Sequence, residues 1–228
     1  MNLADVHAGL IVCRRCPRLV EWRERVATEK RAAFRDEEYW GRPVPGFGDP
    51  RAAVAVVGLA PAAHGANRTG RMFTGDRSGE WLFRALHRTG FADRPTSVHR
   101  ADGLRLEGLF VTSAVHCAPP GNAPTAEERD LCRPWTTAEL RALPDLRVVV
   151  ALGGLGYEAV LRMAESLGWQ RPRPKPAFGH GVEVALGDGP VLLCSYHPSQ
   201  QNTFTKRLTQ EMLDAVFERA RLLMTGEG

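Results

Sequence analysis

The stretch AVAVVGLAPAAHGANRTGRMFTGDRSGEWLFRAL, residues 53–86, decides how this chain folds. A run of small apolar residues ending at Val57 breaks at Gly58 into a segment rich in Gly, Ala, Asn and Arg, and an amphipathic pattern resumes only at Ser78. A compact domain rarely keeps so many residues outside regular structure unless they bind or catalyse something.

Working outward, residues 52–57 are one of four short, nearly continuous apolar runs. The others are residues 109–112, 147–152 and 191–195. Such runs suit strands covered on both faces. Helical patterns lie between or after them. Residues 79–89 carry Trp81, Leu82, Ala85 and Leu86 on one face, with Gly90 as the stop. Thr125-Ala126-Glu127-Glu128 has capping-box spacing and opens a helix towards Cys132. Residues 155–167 and 207–223 complete the set. Residues 182–186, then Gly-Asp-Gly, then residues 190–194 form a predicted hairpin that adds an antiparallel partner to the last strand. Strands alternating with helices predict an α/β fold in which a parallel sheet lies between helical layers. Ligands then bind beyond the carboxyl ends of the strands. Three strand ends open into polar segments, at residues 58–76, 113–122 and 196–206, and these are expected to meet at one crevice.

The bulk numbers agree. A chain of 228 residues with 43% hydrophobic and 25% charged residues fits a single domain, residues 1–228, with a full core and an N-terminal cysteine-bearing segment. No apolar run approaches bilayer length and no signal-peptide pattern opens the chain, so no membrane association and a cytosolic location are expected. The net charge of +4 suits a polyanion without demanding one. Much of the local excess sits early, at Arg14, Arg15, Arg18, Arg23, Arg25, Lys30 and Arg31, and an ordinary solvated surface explains it equally well.

Cysteine spacing adds a second signal. Cys13 and Cys16 form a C-x2-C pair, and Cys117 and Cys132 bracket a Pro-rich loop. Four thiolates can hold zinc or a 4Fe–4S cluster, and spacing does not separate the two. Cys194 falls in an apolar strand and is expected in the core.

The polar segments carry candidate chemistry. In the first, Gly58 and Ala60 let backbone approach a ligand, Phe73 offers a flat apolar face, and Asp76 is either a reacting carboxylate or a helix cap. In the second, Ser113 and Asn122 offer a hydroxyl and an amide, with an Asx turn as the plain alternative for Asn122. In the third, His197, Ser199, Gln200, Gln201 and Asn202 precede Lys206 and Arg207, a combination suited to gripping phosphates. The glycines of ALGGLG, residues 151–156, match neither common phosphate-loop pattern, and a tight strand-to-helix turn explains them better than a phosphate-ester hydrolase does.

GLAPAAHGANRTGRMFTGD with HPSQQNTFTKRLT resembles the first and last motifs of family 5 uracil-DNA glycosylases, and CAPPGNAPTAEERDLCRPW between the second cysteine pair is similar to families 4 and 5. The likeness runs from Cys13 to Thr209. It implies a three-layer α/β/α sandwich with a central, mainly parallel four-stranded sheet. It also implies a structural 4Fe–4S cluster on Cys13, Cys16, Cys117 and Cys132. The implied activity is base-excision repair: hydrolysis of the N-glycosidic bond of uracil, and of other deaminated or damaged bases, in DNA. Such an enzyme would act as a monomer in the bacterial cytoplasm, at the nucleoid. Residue by residue, the resemblance puts Phe73 under a flipped base, Asp76 and Asn122 beside the water, and His197 as donor to the leaving base. It sets Ser199, Gln200, Gln201 and Asn202 against the DNA. Two departures stand out. Ala60-Pro61-Ala62 replaces a water-handling polar residue, and Ser113 replaces a base-reading Asn, which predicts a permissive pocket. A non-catalytic iron–sulfur protein that binds nucleic acid is the alternative.

Overall fold

The computed structural model describes residues 2–226. Its sheet has six strands, β1 (Phe47–Gly48), β2 (Val54–Gly58), β3 (Leu109–Ser113), β4 (Val148–Leu152), β5 (Glu183–Ala185) and β6 (Val191–Ser195), in the order β1-β3-β2-β4-β6-β5. The four central strands are parallel, and the two edge strands run antiparallel to their neighbours. The expected four-stranded sheet is therefore the centre of a larger one. β5 is the predicted hairpin partner. β1 has no apolar run to announce it, because two residues carry no periodicity.

Alternation within the central strands builds two cores. Val54 and Val56 face one side with Leu82, Phe83 and Leu86 of α4 (Arg77–Arg88) and Leu213, Val216 and Phe217 of α8 (Gln210–Thr225). Ala55 and Val57 face the other side with Leu140 of α5 (Ala126–Arg141) and Tyr157 and Val160 of α6 (Gly154–Met163). A period of two with both faces apolar is what a doubly covered parallel sheet requires. No described helix is long and apolar enough to cross a membrane.

The N-terminus adds α1 (Leu3–Leu10) and α2 (Pro17–Glu29). The capping box at Thr125 and Glu128 forms, with reciprocal bonds of 3.1 and 2.7 Å. Arg18 of α2 then grips Glu128 through Nε and Nη2, each at 2.7 Å, which ties α2 to α5. The early arginines are thus largely consumed within the protein, with Arg14 on Glu24 and Arg25 on Glu21 as well. Two polar segments also contain helix that the sequence pattern hid: α3 (Ala66–Thr69) and α7 (Gln200–Phe204). Both are too short to show a 3.6-residue apolar stripe.

Candidate active site

The three polar segments meet beyond the carboxyl ends of β2, β3 and β6 around a cavity of about 500 Å³. Ala60, Phe73, Asp76, Ser113, Asn122, His197, Ser199, Gln200 and Gln201 line it. Gly58 and Asn202 do not. A Cβ on Gly58 would lie 2.5 Å from the Phe73 ring, so this glycine lets the ring lie against the end of β2. Asn202 turns inward and donates from Nδ2 to the backbone oxygen of His197 at 2.9 Å, which fixes the histidine's backbone.

The backbone is strained at two of the lining residues. Phe73 has φ +53° and Asn122 has φ +56°, left-handed values that cost a residue with a side chain and concentrate at functional positions. The Asn122 side chain makes no hydrogen bond among the described residues, so the Asx-turn alternative fails and its amide is free at the exposed rim. The ring of His197 likewise has no hydrogen-bond partner, and sits 6.1 Å from the Phe73 ring. Burial lowers its pKa to about 4, so the imidazole is neutral at neutral pH and can donate through one nitrogen.

Asp76 caps α4 and still lines the cavity, with Oδ1 accepting from the Gly79 amide at 2.9 Å. Burial raises its pKa above the usual carboxylate range, and the amides of Gly79 and Ser78 only partly offset this. Ser113 is buried, and its hydroxyl donates to Val115 O at 2.7 Å with Met72 Sδ at 3.4 Å. Ser199 caps α7 by accepting from Asn202 N at 3.3 Å. In ALGGLG, Gly153 has φ +83° and opens α6 with its amide on Ser195 O, and the His197 Cβ packs against it; this is the predicted tight turn. Sequence reasoning missed Met72 and Arg77 on the cavity wall. Arg77 left a signal: a cation in the first turn of a helix opposes the dipole and calls for a reason. Its guanidinium lies 4.4 Å from the exposed ring of Phe204.

Cys13, Cys16, Cys117 and Cys132 line a second recess with Arg23 and Trp135, while Cys194 is apart in the core. Among the described residues, no three His, Cys, Asp or Glu side chains meet the spacing of a single-ion site. Arg23, 2% exposed, donates from Nη1 to Cys117 Sγ at 2.9 Å and from Nη2 to Cys13 O at 3.2 Å. The His116 amide donates to Cys132 Sγ at 3.3 Å. Burial raises the thiols, Cys117 to about 11 and Cys132 further, so without a partner they stay protonated. Two buried donors, Arg23 Nε and Trp135 Nε1, have no acceptor at all. A buried cation with spare donors over four thiols fits an anionic thiolate-bound centre.

The family model described as the uracil DNA glycosylase superfamily matches residues 45–221. The Type-5 uracil-DNA glycosylase of Mycobacterium tuberculosis is 56% identical over 97% of this chain and 82% of its own length. The Type-5 uracil-DNA glycosylase of Thermus thermophilus is 52% identical over 93% of this chain and 94% of its own. Likeness to the Type-4 uracil-DNA glycosylase of Pyrobaculum aerophilum falls to 29%, over 87% of this chain and 84% of that one.

Proposed function

The chain belongs to the uracil-DNA glycosylase superfamily, and we infer from that membership and from its cavity that it excises uracil from DNA by hydrolysing the N-glycosidic bond. The observation that carries the site assignment is the convergence of Phe73, Asp76, Asn122 and His197 on one cavity. Swinging a nucleotide out of a duplex costs a few kcal/mol. Stacking on Phe73 returns roughly 1–3 kcal/mol. As the bond breaks, positive charge develops on the sugar and negative charge on the departing base. Neutral His197 donates to that base without first losing a proton, and ionised Asp76 faces the developing cation. Asn122, at the rim with a free amide, holds the attacking water. Gln200 and Gln201, exposed at the cavity mouth, press on the DNA backbone.

The base range extends past uracil to other deaminated or damaged bases. The Ser113 hydroxyl is committed to Val115 O, so no amide at that strand end reads both polar edges of a pyrimidine. A panel of duplex oligonucleotides, each with one modified base, followed by alkaline cleavage tests this. Release of uracil together with at least one other deaminated base is expected, and strict uracil specificity would remove the permissive pocket. A non-catalytic binding protein is not favoured, since it would give no cleavage at all.

Cys13, Cys16, Cys117 and Cys132 hold a 4Fe–4S cluster. Its contribution is structural: it pins the N-terminal segment to the loop that carries Asn122, and base release requires no electron from it. Brown protein absorbing near about 400 nm, where thiolate-bound iron absorbs, is expected. Stoichiometric zinc in colourless, active protein would replace the cluster. The enzyme acts as a monomer on chromosomal DNA at the nucleoid.

A further inference from the structure

A cavity of about 290 Å³ apart from the catalytic one has Trp40, Arg42, Arg68, His99 and Arg100 in its walls. The guanidiniums of Arg42 and Arg100 lie over the Trp40 ring, 5.7 and 4.5 Å from its centroid. Neither has a carboxylate partner among the described residues. Arg68 spends its charge on Glu37, and Glu38 is the one carboxylate on the rim. Two guanidiniums without carboxylate partners at one ring leave local positive charge that a bound anion would neutralise.

The walls are fixed before any ligand arrives. Trp40 N and Gly41 N donate to Arg68 O and Asn67 O, at 2.9 and 3.0 Å. The loop presenting His99 and Arg100 hangs on Asp102, which accepts from the amides of Val98, His99 and Leu104 and pairs with buried Arg71 at 2.8 Å. Arg100 N also donates to Thr69 O at 3.3 Å. The backbone carrying Arg42 and Arg100 is therefore held in place, and their guanidiniums keep their charge and suit phosphate. Arg68 joins it to the catalytic side, since its Nη2 donates at 3.4 Å to the oxygen of Gly75, the residue before Asp76.

We propose that this cavity holds a backbone phosphate of the DNA flanking the extruded nucleotide. The proposal rests on the glycosylase reading.

The test uses the full-length protein with its four cysteines intact and a labelled duplex bearing a central abasic site. In the R42Q/R100Q variant, affinity at low salt is expected to fall about tenfold, and the slope of log affinity against log salt by about 1, as for one lost phosphate contact. Shortening the duplex on one side of the lesion should cost the native protein the same tenfold and the variant nothing further. Single-turnover uracil release at saturating DNA should not change. Native affinity and slope in the variant, or a loss independent of flank length, would overturn the proposal. So would a deoxynucleoside monophosphate that binds the native protein and not the variant while duplex affinity stays put, since the cavity would then serve a small molecule. Loss of uracil release in the native protein would instead defeat the glycosylase reading.

Discussion

Asn122 and Cys117 belong to the same loop, yet they line two recesses that treat polar groups in opposite ways. Around Cys117, the donors Arg23 Nε and Trp135 Nε1 are buried without acceptors. A buried unsatisfied donor costs about 1–3 kcal/mol for as long as it lasts. Such donors suit a permanent occupant of the kind proposed for the four thiols. Around Asn122, the free groups are the amide itself, the His197 ring and the side chains of Gln200 and Gln201, at an open cavity where water can serve them. Open polar groups of that kind can wait for a visitor. The contrast is the one expected between a resident anchor and a transient substrate site within one short loop.

The sharpest way to break that contrast is to damage each side in turn. Cys117→Ser removes one sulfur from the anchor. Thiolate-bound metal can contribute on the order of 10 kcal/mol to folding, comparable to the whole stability of a domain. The expected result is loss of the 400 nm band (about that wavelength, from cluster chemistry) and collapse of soluble yield. A colourless Cys117→Ser protein with native melting and full activity would show that the recess anchors nothing.

On the catalytic side, Asp76→Asn and Asn122→Ala should lower single-turnover base release by about 10²–10⁴-fold, the usual contribution of a positioned acid–base group. Affinity for an abasic duplex should stay within a few-fold. Asp76→Asn is the informative variant, because Asn keeps an oxygen for the Gly79 amide and remains a good helix cap. A fall in melting temperature equal to the fall in rate would make Asp76 architectural. The pH profile checks the charge. The Asp76 pKa is raised, so its ionised form, and the rate, should be lost as pH falls through a value above the ordinary carboxylate range. That acid limb should vanish in the Asn variant. His197 has the opposite sign: with a folded pKa of about 4 against an unfolded 6.5, it favours the folded state above pH 6.5 and loses that contribution as pH falls towards 4. No break in rate is expected at 6.5.

Phe73→Leu comes next in size. Replacing the ring removes stacking worth roughly 1–3 kcal/mol, so base release from duplex DNA should fall about 5- to 150-fold. The loss should be smaller on single strands, where no pairing has to be broken first. An equal loss on both substrates would assign Phe73 to packing against the end of β2.

The sequence revealed these two regions to different depths. The four central strands and the meeting of their polar ends follow from composition alone, because a doubly buried strand must be apolar throughout. Asp76 was ambiguous between cap and reactant for a sound reason: one carboxylate holds Oδ1 on Gly79 and still lines the cavity, so the cap leaves the second role open to it. What stayed hidden depends on side-chain direction. Ser113 lines the cavity with its hydroxyl turned to Val115 O, and Gly58 serves the ring of Phe73 without facing the cavity itself. Spacing cannot report a rotamer. The early arginines stayed open between a polyanion surface and an ordinary one for the same reason, since their partners Glu24 and Glu128 are fixed only once α2 packs.

The smallest expected effect lies at Asn202, which connects backbone order to chemistry without touching the cavity. Its Nδ2 holds the carbonyl of His197, while its own amide takes the Ser199 cap. Asn202→Ala removes the first bond and keeps the second. A neutral hydrogen bond contributes about 0.5–1.5 kcal/mol, so single-turnover release should drop about 2- to 13-fold, with duplex affinity unchanged. The loss arises because a freed carbonyl lets the imidazole wander from the leaving base. In His197→Ala protein the same substitution should then cost nothing, because there is no ring left to aim. If Asn202→Ala still costs its full factor in that background, Asn202 acts on DNA directly and the division between cavity wall and backbone brace must be redrawn.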